Sequence, residues 1–194
     1  MVSKSALKVS SNVKDVDSKK INVVLLYVTV PCFDSIMKNT PVYKLFALLR
    51  EQVSIIAETV IDNGGDIDKI MGEKMLIAFH TGEKKLNDVA VLACKVANMI
   101  ETSGRIHFKV SVGVNYGQVI SGFLGVGDKR DFTIIGDPVN VAARIAVFAE
   151  KLKGNRVVVS ENIKELVKDK IETEEYGEVA LKGKSMPLKV FRII

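Results

Sequence analysis

An α+β fold with a central antiparallel sheet is what this 194-residue chain predicts, on three observations. Apolar, β-branched runs such as residues 21–30 alternate with stretches whose apolar side chains recur at helical spacing. Neighbouring strand segments are joined by short Gly-containing turns, which only antiparallel strands allow. The resulting order, strand–helix–strand–strand–helix–strand followed by additions, is the ferredoxin-like βαββαβ arrangement.

Each element follows from its own signals. Residues 1–20 are rich in Ser and Lys without sustained periodicity, which predicts a flexible basic leader ahead of a domain spanning 21–194. Residues 21–30 read as a buried central strand. Thr40-Pro41 supplies a cap and a first-turn proline, and Val42, Phe46, Leu49, Val53, Ile56 and Val60 then repeat on one helical face up to Asn63-Gly64-Gly65. Strands at 66–71 and 74–80 meet at Gly72-Glu73. A helix over 87–102 ends at Ser103-Gly104. Alternation over 106–114 predicts a half-buried strand, turned at Tyr116-Gly117 into a second strand over 119–123. A short strand at 132–135 precedes Asp137-Pro138, which opens a helix to about residue 153. A strand at 156–159, a helix at 161–168 and a hairpin of 173–181 with 188–193 complete the chain, with no internal repeat and no second domain expected.

Composition excludes several function classes. The net charge of +5 owes much to residues 1–20, so the body is nearly balanced; with no Trp and 6% aromatic residues, a nucleic-acid surface is not expected. Two histidines, His80 and His107, leave little for a His-based metal site. The longest apolar runs fall well short of the roughly 18 residues of a membrane span, and no signal peptide is recognisable. A cytoplasmic location follows, alone or as the cytosolic part of a larger signalling protein. Cys32 and Cys94 sit among apolar neighbours and read as buried free thiols. Met71, Met75 and Met99 occupy core-type positions.

Four ordered blocks carry the chemistry. Gly64-Gly65-Asp66-Ile67-Asp68 resembles the opening of the G-G-D-E-F signature of diguanylate cyclases, but Ile67 stands where that family has Glu. A longer resemblance fits better. Residues 64–79 (GGDIDKIMGEKMLIAF) resemble the G-G-x-x-x-K-x-x-G-D-x-x-x-A-x-F block of class III adenylate and guanylate cyclases. Residues 112–122 (VGVNYGQVISG) are similar to that family's G-[IV]-x-x-G hairpin, residues 131–144 (DFTIIGDPVNVAAR) to its T-x-I-G-D-x-V-N-x-A-A-R block, and Leu181-Lys182-Gly183-Lys184 to its late K-G-K.

The resemblance implies a fold of class III nucleotidyl cyclase type and a reaction, ATP (less readily GTP) to the 3′,5′-cyclic nucleotide and pyrophosphate. The ribose 3′-oxygen attacks the α-phosphorus in line while two divalent cations, Mg²⁺ or Mn²⁺, clamp the phosphates. It implies shared sites in a homodimer or heterodimer. Asn140 and Arg144, at i and i+4 on one helix face, match the transition-state residues given to a partner. Lys69 and Thr133 match the pair that reads the purine, and Lys182 the phosphate lysine. The metal half departs from the pattern. Thr29 stands where the first carboxylate belongs, and a neutral hydroxyl is a poor ligand for a hard cation. Glu73 replaces the second Asp. Pro31-Cys32 replaces a phosphate-cradling glycine loop, and Pro31 has no N–H to offer. Asp34 reads as the N-cap of the following helix and is the candidate substitute ligand. The expected function is therefore a weak or inactive cyclase, with two alternatives: a pseudo-cyclase that dimerises and regulates without turnover, or a subunit active only as a heterodimer.

Overall fold

The computed structural model of the chain describes residues 18–126, 129–180 and 187–194. Eight strands form one sheet in the order β2-β3-β1-β4-β6-β8-β7, with β5 paired to β4 off this path. The strands are β1 (Ser18–Thr29), β2 (Asp66–Met71), β3 (Lys74–His80), β4 (Ser111–Val126), β5 (Lys129–Ile135), β6 (Val157–Ser160), β7 (Thr173–Val179) and β8 (Leu188–Ile193). All pairings are antiparallel except β4 with β6. The helices are α1 (Phe33–Asn39), α2 (Val42–Asp62), α3 (Leu86–Glu101), α4 (Asp137–Ala149) and α5 (Glu161–Val167). The βαββαβ core and central antiparallel sheet expected from the sequence are present.

The two faces of the sheet are covered unequally. Val24, Leu26 and Val28 of β1 join Ile56 of α2, Ala93 of α3 and Ile163 of α5 in one large core. The alternate residues Val23 and Leu25 face the other way and pack with Val119, Ile134 and Ala142 of α4. One face thus carries α1, α2, α3 and α5 and the other only α4, so β1 must be apolar on both sides, as a central strand is.

Several boundaries differ from expectation. β1 begins at Ser18, pairing Ser18, Lys19 and Lys20 with Gly122, Ser121 and Ile120, so the ordered domain starts before residue 21; residues 1–17 lie outside the described residues. Two strands expected around Tyr116-Gly117 are one continuous β4, in which Tyr116 and Gly117 pair with Val24 and Val23. Gly117 serves close approach rather than a turn: a Cβ there would lie 2.4 Å from Pro138 Cγ. Residues 106–110 precede β4 and are not strand; the Phe108 N–H instead donates to Oε1 of buried Gln52 at 2.7 Å. Thr40-Pro41 separates two helices, because a residue before proline leaves the helical region. The core face of α2 is Leu45, Gln52, Ile55, Ile56 and Val60, while Val42 and Phe46, expected inside, are 81% and 69% exposed. Met75 is buried, but Met71 and Met99 are exposed.

The cysteines also divide. Cys94 is buried in α3, and desolvation pushes its thiol up to about 12. Cys32 is exposed at φ 55°, as the N-cap of α1, contrary to the expectation of burial. Maleimide is expected to label one thiol per chain, Cys32, with Cys94 reacting only in denaturant; mass spectrometry finding Cys94 modified in the folded protein would refute this.

Candidate functional site

The position of α4 is set by glycines beneath it. A Cβ at Gly113 would lie 2.2 Å from the Ala142 carbonyl oxygen and 2.4 Å from the Ala146 nitrogen, so the helix rests directly on the β4 backbone. Asn115 fixes its first turn by donating from Nδ2 to the Pro138 carbonyl at 3.0 Å. Asn140 is exposed on this helix and borders a concavity of about 370 Å³ with residues 134–137. Arg144 is half-buried, lines a neighbouring groove of about 350 Å³, and donates from Nη1 to the Ala180 carbonyl at 3.0 Å. Both side chains therefore border open concavities from one rigid helix. Lys182 lies outside the described residues.

Lys69 and Thr133 come together through a residue that sequence reasoning passed over. The register of β2 on β3 shifts between Ile67 and Lys69, leaving Asp68 as an extra residue in the strand. Its Oδ2 accepts the Thr133 hydroxyl at 3.2 Å and its Oδ1 the Ile134 N–H at 3.0 Å. Burial raises the Asp68 pKa above the usual carboxylate value, opposed by these two hydrogen bonds and by the charges of Lys69 and His80. The one available signal was an Asp directly before the matched Lys, which by itself reads as a solvated carboxylate on a strand.

The positions expected to hold metal sit in unlike surroundings. Thr29 is 2% exposed and donates from Oγ1 to Glu150 Oε1 at 3.4 Å. Ser111 stands opposite Thr29 in the β1–β4 register, and its buried hydroxyl has no hydrogen-bond partner among the described residues. Glu73, in the β2–β3 turn, lies 3.3 Å from Lys74 Nζ. Asp34 is exposed in the first turn of α1; the N-cap is Cys32 and not Asp34, as the sequence had suggested. A pair of divalent cations needs several anionic oxygens. Two hydroxyls, one carboxylate beside an ammonium and a second already hydrogen-bonded to Thr29 do not fit such a pair, and no three His, Cys, Asp or Glu side chains cluster among the described residues.

Glu150, the C-cap of α4, is the second residue that sequence reasoning missed. Burial raises its pKa first; the Thr29 hydrogen bond and Lys74 lower it, and the charge of Glu73 raises it. Because its folded pKa exceeds its unfolded one, the protonated carboxyl favours the folded state: this contribution is full below the unfolded value and is lost as pH rises through the folded one. Acidification from neutral pH is expected to raise the urea midpoint of the wild type relative to Glu150→Gln. Parallel pH profiles would refute the assignment.

A family model described as the adenylate and guanylate cyclase catalytic domain matches residues 16–193. An uncharacterised protein of Mycobacterium tuberculosis is 23% identical over 177 residues, covering 87% of this chain and 30% of its own length. The chain thus spans under a third of that curated relative. Among solved structures, the adenylyl cyclase CyaB from P. aeruginosa aligns with a TM-score of 0.82 at 21% identity, covering 92% of this chain and 96% of that one. The guanylyl cyclase Cya2 aligns at 0.76 and 20% identity over 91% and 93%. At these identities the structures establish the fold. No described helix is long and apolar enough to cross a membrane.

Proposed function

Because the chain belongs to the adenylate and guanylate cyclase catalytic domain family, of class III type, over residues 16–193, we propose that it is a purine nucleotide-binding cyclase domain that donates a working half-site to a partner and carries an eroded metal half-site of its own. The observation that carries this reading is the contrast between the solvent-facing side of α4 and its C-cap. At one, Asn140 and Arg144 border open concavities. At the other, Thr29 is buried against Glu150. In this reading Arg144 stabilises charge developing on the transferred phosphoryl group, Asn140 orients the ribose, and Lys69 donates to the base. The substrate is ATP on the resemblance of Thr133, yielding 3′,5′-cyclic AMP and pyrophosphate, with GTP the competitor. Mg²⁺ or Mn²⁺ is the ion that such a reaction uses, and the chain lacks the ligands to hold two.

Dimerisation is part of the reading. The β4–β5 hairpin presents Phe123, Leu124, Val126, Phe132 and Ile135 to solvent, Val126 at 86% exposure, with the Phe123 and Phe132 rings packed edge to face at 5.3 Å. A contiguous apolar surface of this kind is a mark of an interface, and a second copy or another cyclase domain is the partner that shared sites require.

Sedimentation combined with cyclic nucleotide assays on ATP and GTP, each with Mg²⁺ and with Mn²⁺, tests both halves. A dimer at micromolar concentration is expected, with Mg²⁺ turnover at least about 1000-fold below an intact site. Appearance of turnover on mixing with a cyclase domain holding both metal carboxylates would identify a heterodimer subunit, and none in any mixture a regulatory pseudo-cyclase. Robust Mg²⁺ turnover by the chain alone would overturn the erosion, and a monomer at high micromolar concentration would overturn the shared site.

A further inference from the structure

Which group meets the nucleotide base is decided by the contact between β2 and β5. Thr133 is only 3% exposed, and its hydroxyl proton is committed to Asp68 Oδ2 at 3.2 Å. Its oxygen keeps acceptor lone pairs, but at this exposure it has little surface to offer a base. Asp68 offers more surface and, as a carboxylate, a stronger acceptor. It is half-buried rather than enclosed, its strand is irregular at that residue, and it directly precedes half-buried Lys69, whose charge acts on it. A carboxylate has about four lone-pair sites. The Thr133 hydroxyl and the Ile134 N–H occupy two, which hold the group in place and leave acceptor capacity on both oxygens.

Resting on the nucleotide-binding reading above, we propose that Asp68, not Thr133, is the acceptor that reads the base, with Thr133 and the Ile134 N–H as its positioning groups and Lys69 as the adjoining donor. An ammonium beside a carboxylate complements a purine edge that carries an acceptor next to a donor. Adenine offers this as N1 with its 6-amino group, and guanine as O6 with N1–H. A base without the donor leaves the carboxylate desolvated and unpaired, and that penalty is what generates selectivity.

Calorimetric titration with Mn²⁺-nucleotides tests this without turnover. The probes are ATP, GTP and purine riboside 5′-triphosphate, which has hydrogen in place of the 6-amino group. The wild type is expected to prefer ATP over the analogue by roughly 10–100-fold. Asp68→Ala is expected to abolish that preference by weakening ATP while leaving the analogue unchanged, a coupling that a merely structural role would not produce. Asp68→Asn, close in shape and uncharged, is expected to lose at least about 10-fold of the preference, should the alanine variant not fold. Thr133→Val is expected to reduce the preference part-way and Thr133→Ser to retain it. If guanine is the base read, the same Asp68→Ala loss appears with GTP. Preference intact in both Asp68 variants but abolished by Thr133→Val would overturn the proposal and leave the nucleotide-binding reading standing. No binding of any nucleotide by the wild type would overturn both.

Discussion

Thr29→Asp is expected to make the stability of this protein depend on a divalent cation. Thr29 is buried, with Glu150 3.4 Å from its hydroxyl and Glu73 close enough for its charge to act on Glu150. A carboxylate at position 29 would be desolvated beside two other acids, and without metal the variant should lose about 2 kcal/mol or more. The same three carboxylates form a hard oxygen donor set. A cation that binds only the folded chain returns about 2.7 kcal/mol at 100 times its dissociation constant. The melting temperature of Thr29→Asp should therefore rise with Mn²⁺ while that of the wild type does not. Adding Glu73→Asp and Glu150→Gln, to restore the shorter ligand and remove the crowding charge, should give measurable cyclase turnover. That turnover should vanish again with Asn140→Ala or Arg144→Ala. A folded variant whose melting temperature ignores Mn²⁺ would show that position 29 is not the missing ligand, and Pro31 would then be the next residue to change.

Gly113→Val should be the most damaging single substitution in the sheet. Even the Cβ would sit 2.2 Å from the Ala142 oxygen and 2.4 Å from the Ala146 nitrogen. Both are backbone atoms of a helix and cannot turn aside as a side chain can, so α4 must lift. An interior packed at crystal-like density tolerates such intrusion poorly. A loss of about 3 kcal/mol or more is expected, or a fall in melting temperature of roughly 10 °C for a chain of this size. Because Asn140 and Arg144 ride on α4, nucleotide binding should suffer even in the fraction that remains folded. Ser111→Ala on the same strand removes a buried hydroxyl without a partner and serves as the control, with stability expected to be unchanged or slightly raised. Equal melting temperatures for Gly113→Val and the wild type would refute the packing account.

What the sequence revealed, and what it hid, divides along a physical line. Periodicity through Val53, Ile56 and Val60, the continuous apolar run of β1 and the Gly72 turn are local signals, and each placed its element within a few residues. The motifs likewise placed Asn140 and Arg144 on one helix. Strand continuity across Tyr116-Gly117 was hidden because the reason for Gly117 lies 21 residues away, in Pro138. Glu150 and Asp68 were hidden for the same reason: their partners, Thr29 and Thr133, are 121 and 65 residues distant. A composition-neutral Asp or Glu has no local mark of such a role. Cys32 misled in the opposite direction, since its apolar neighbours say nothing of a left-handed backbone that lifts it to the surface.

α4 has 13 residues, so its axis runs about 20 Å. Asn140 stands exposed near its start, while Glu150, which caps its end, accepts the Thr29 hydroxyl. In the dimer proposed above, each helix would be a rod joining the two sites, one from the front and one from behind. A ligand that shifted one rod would then be felt at the other site.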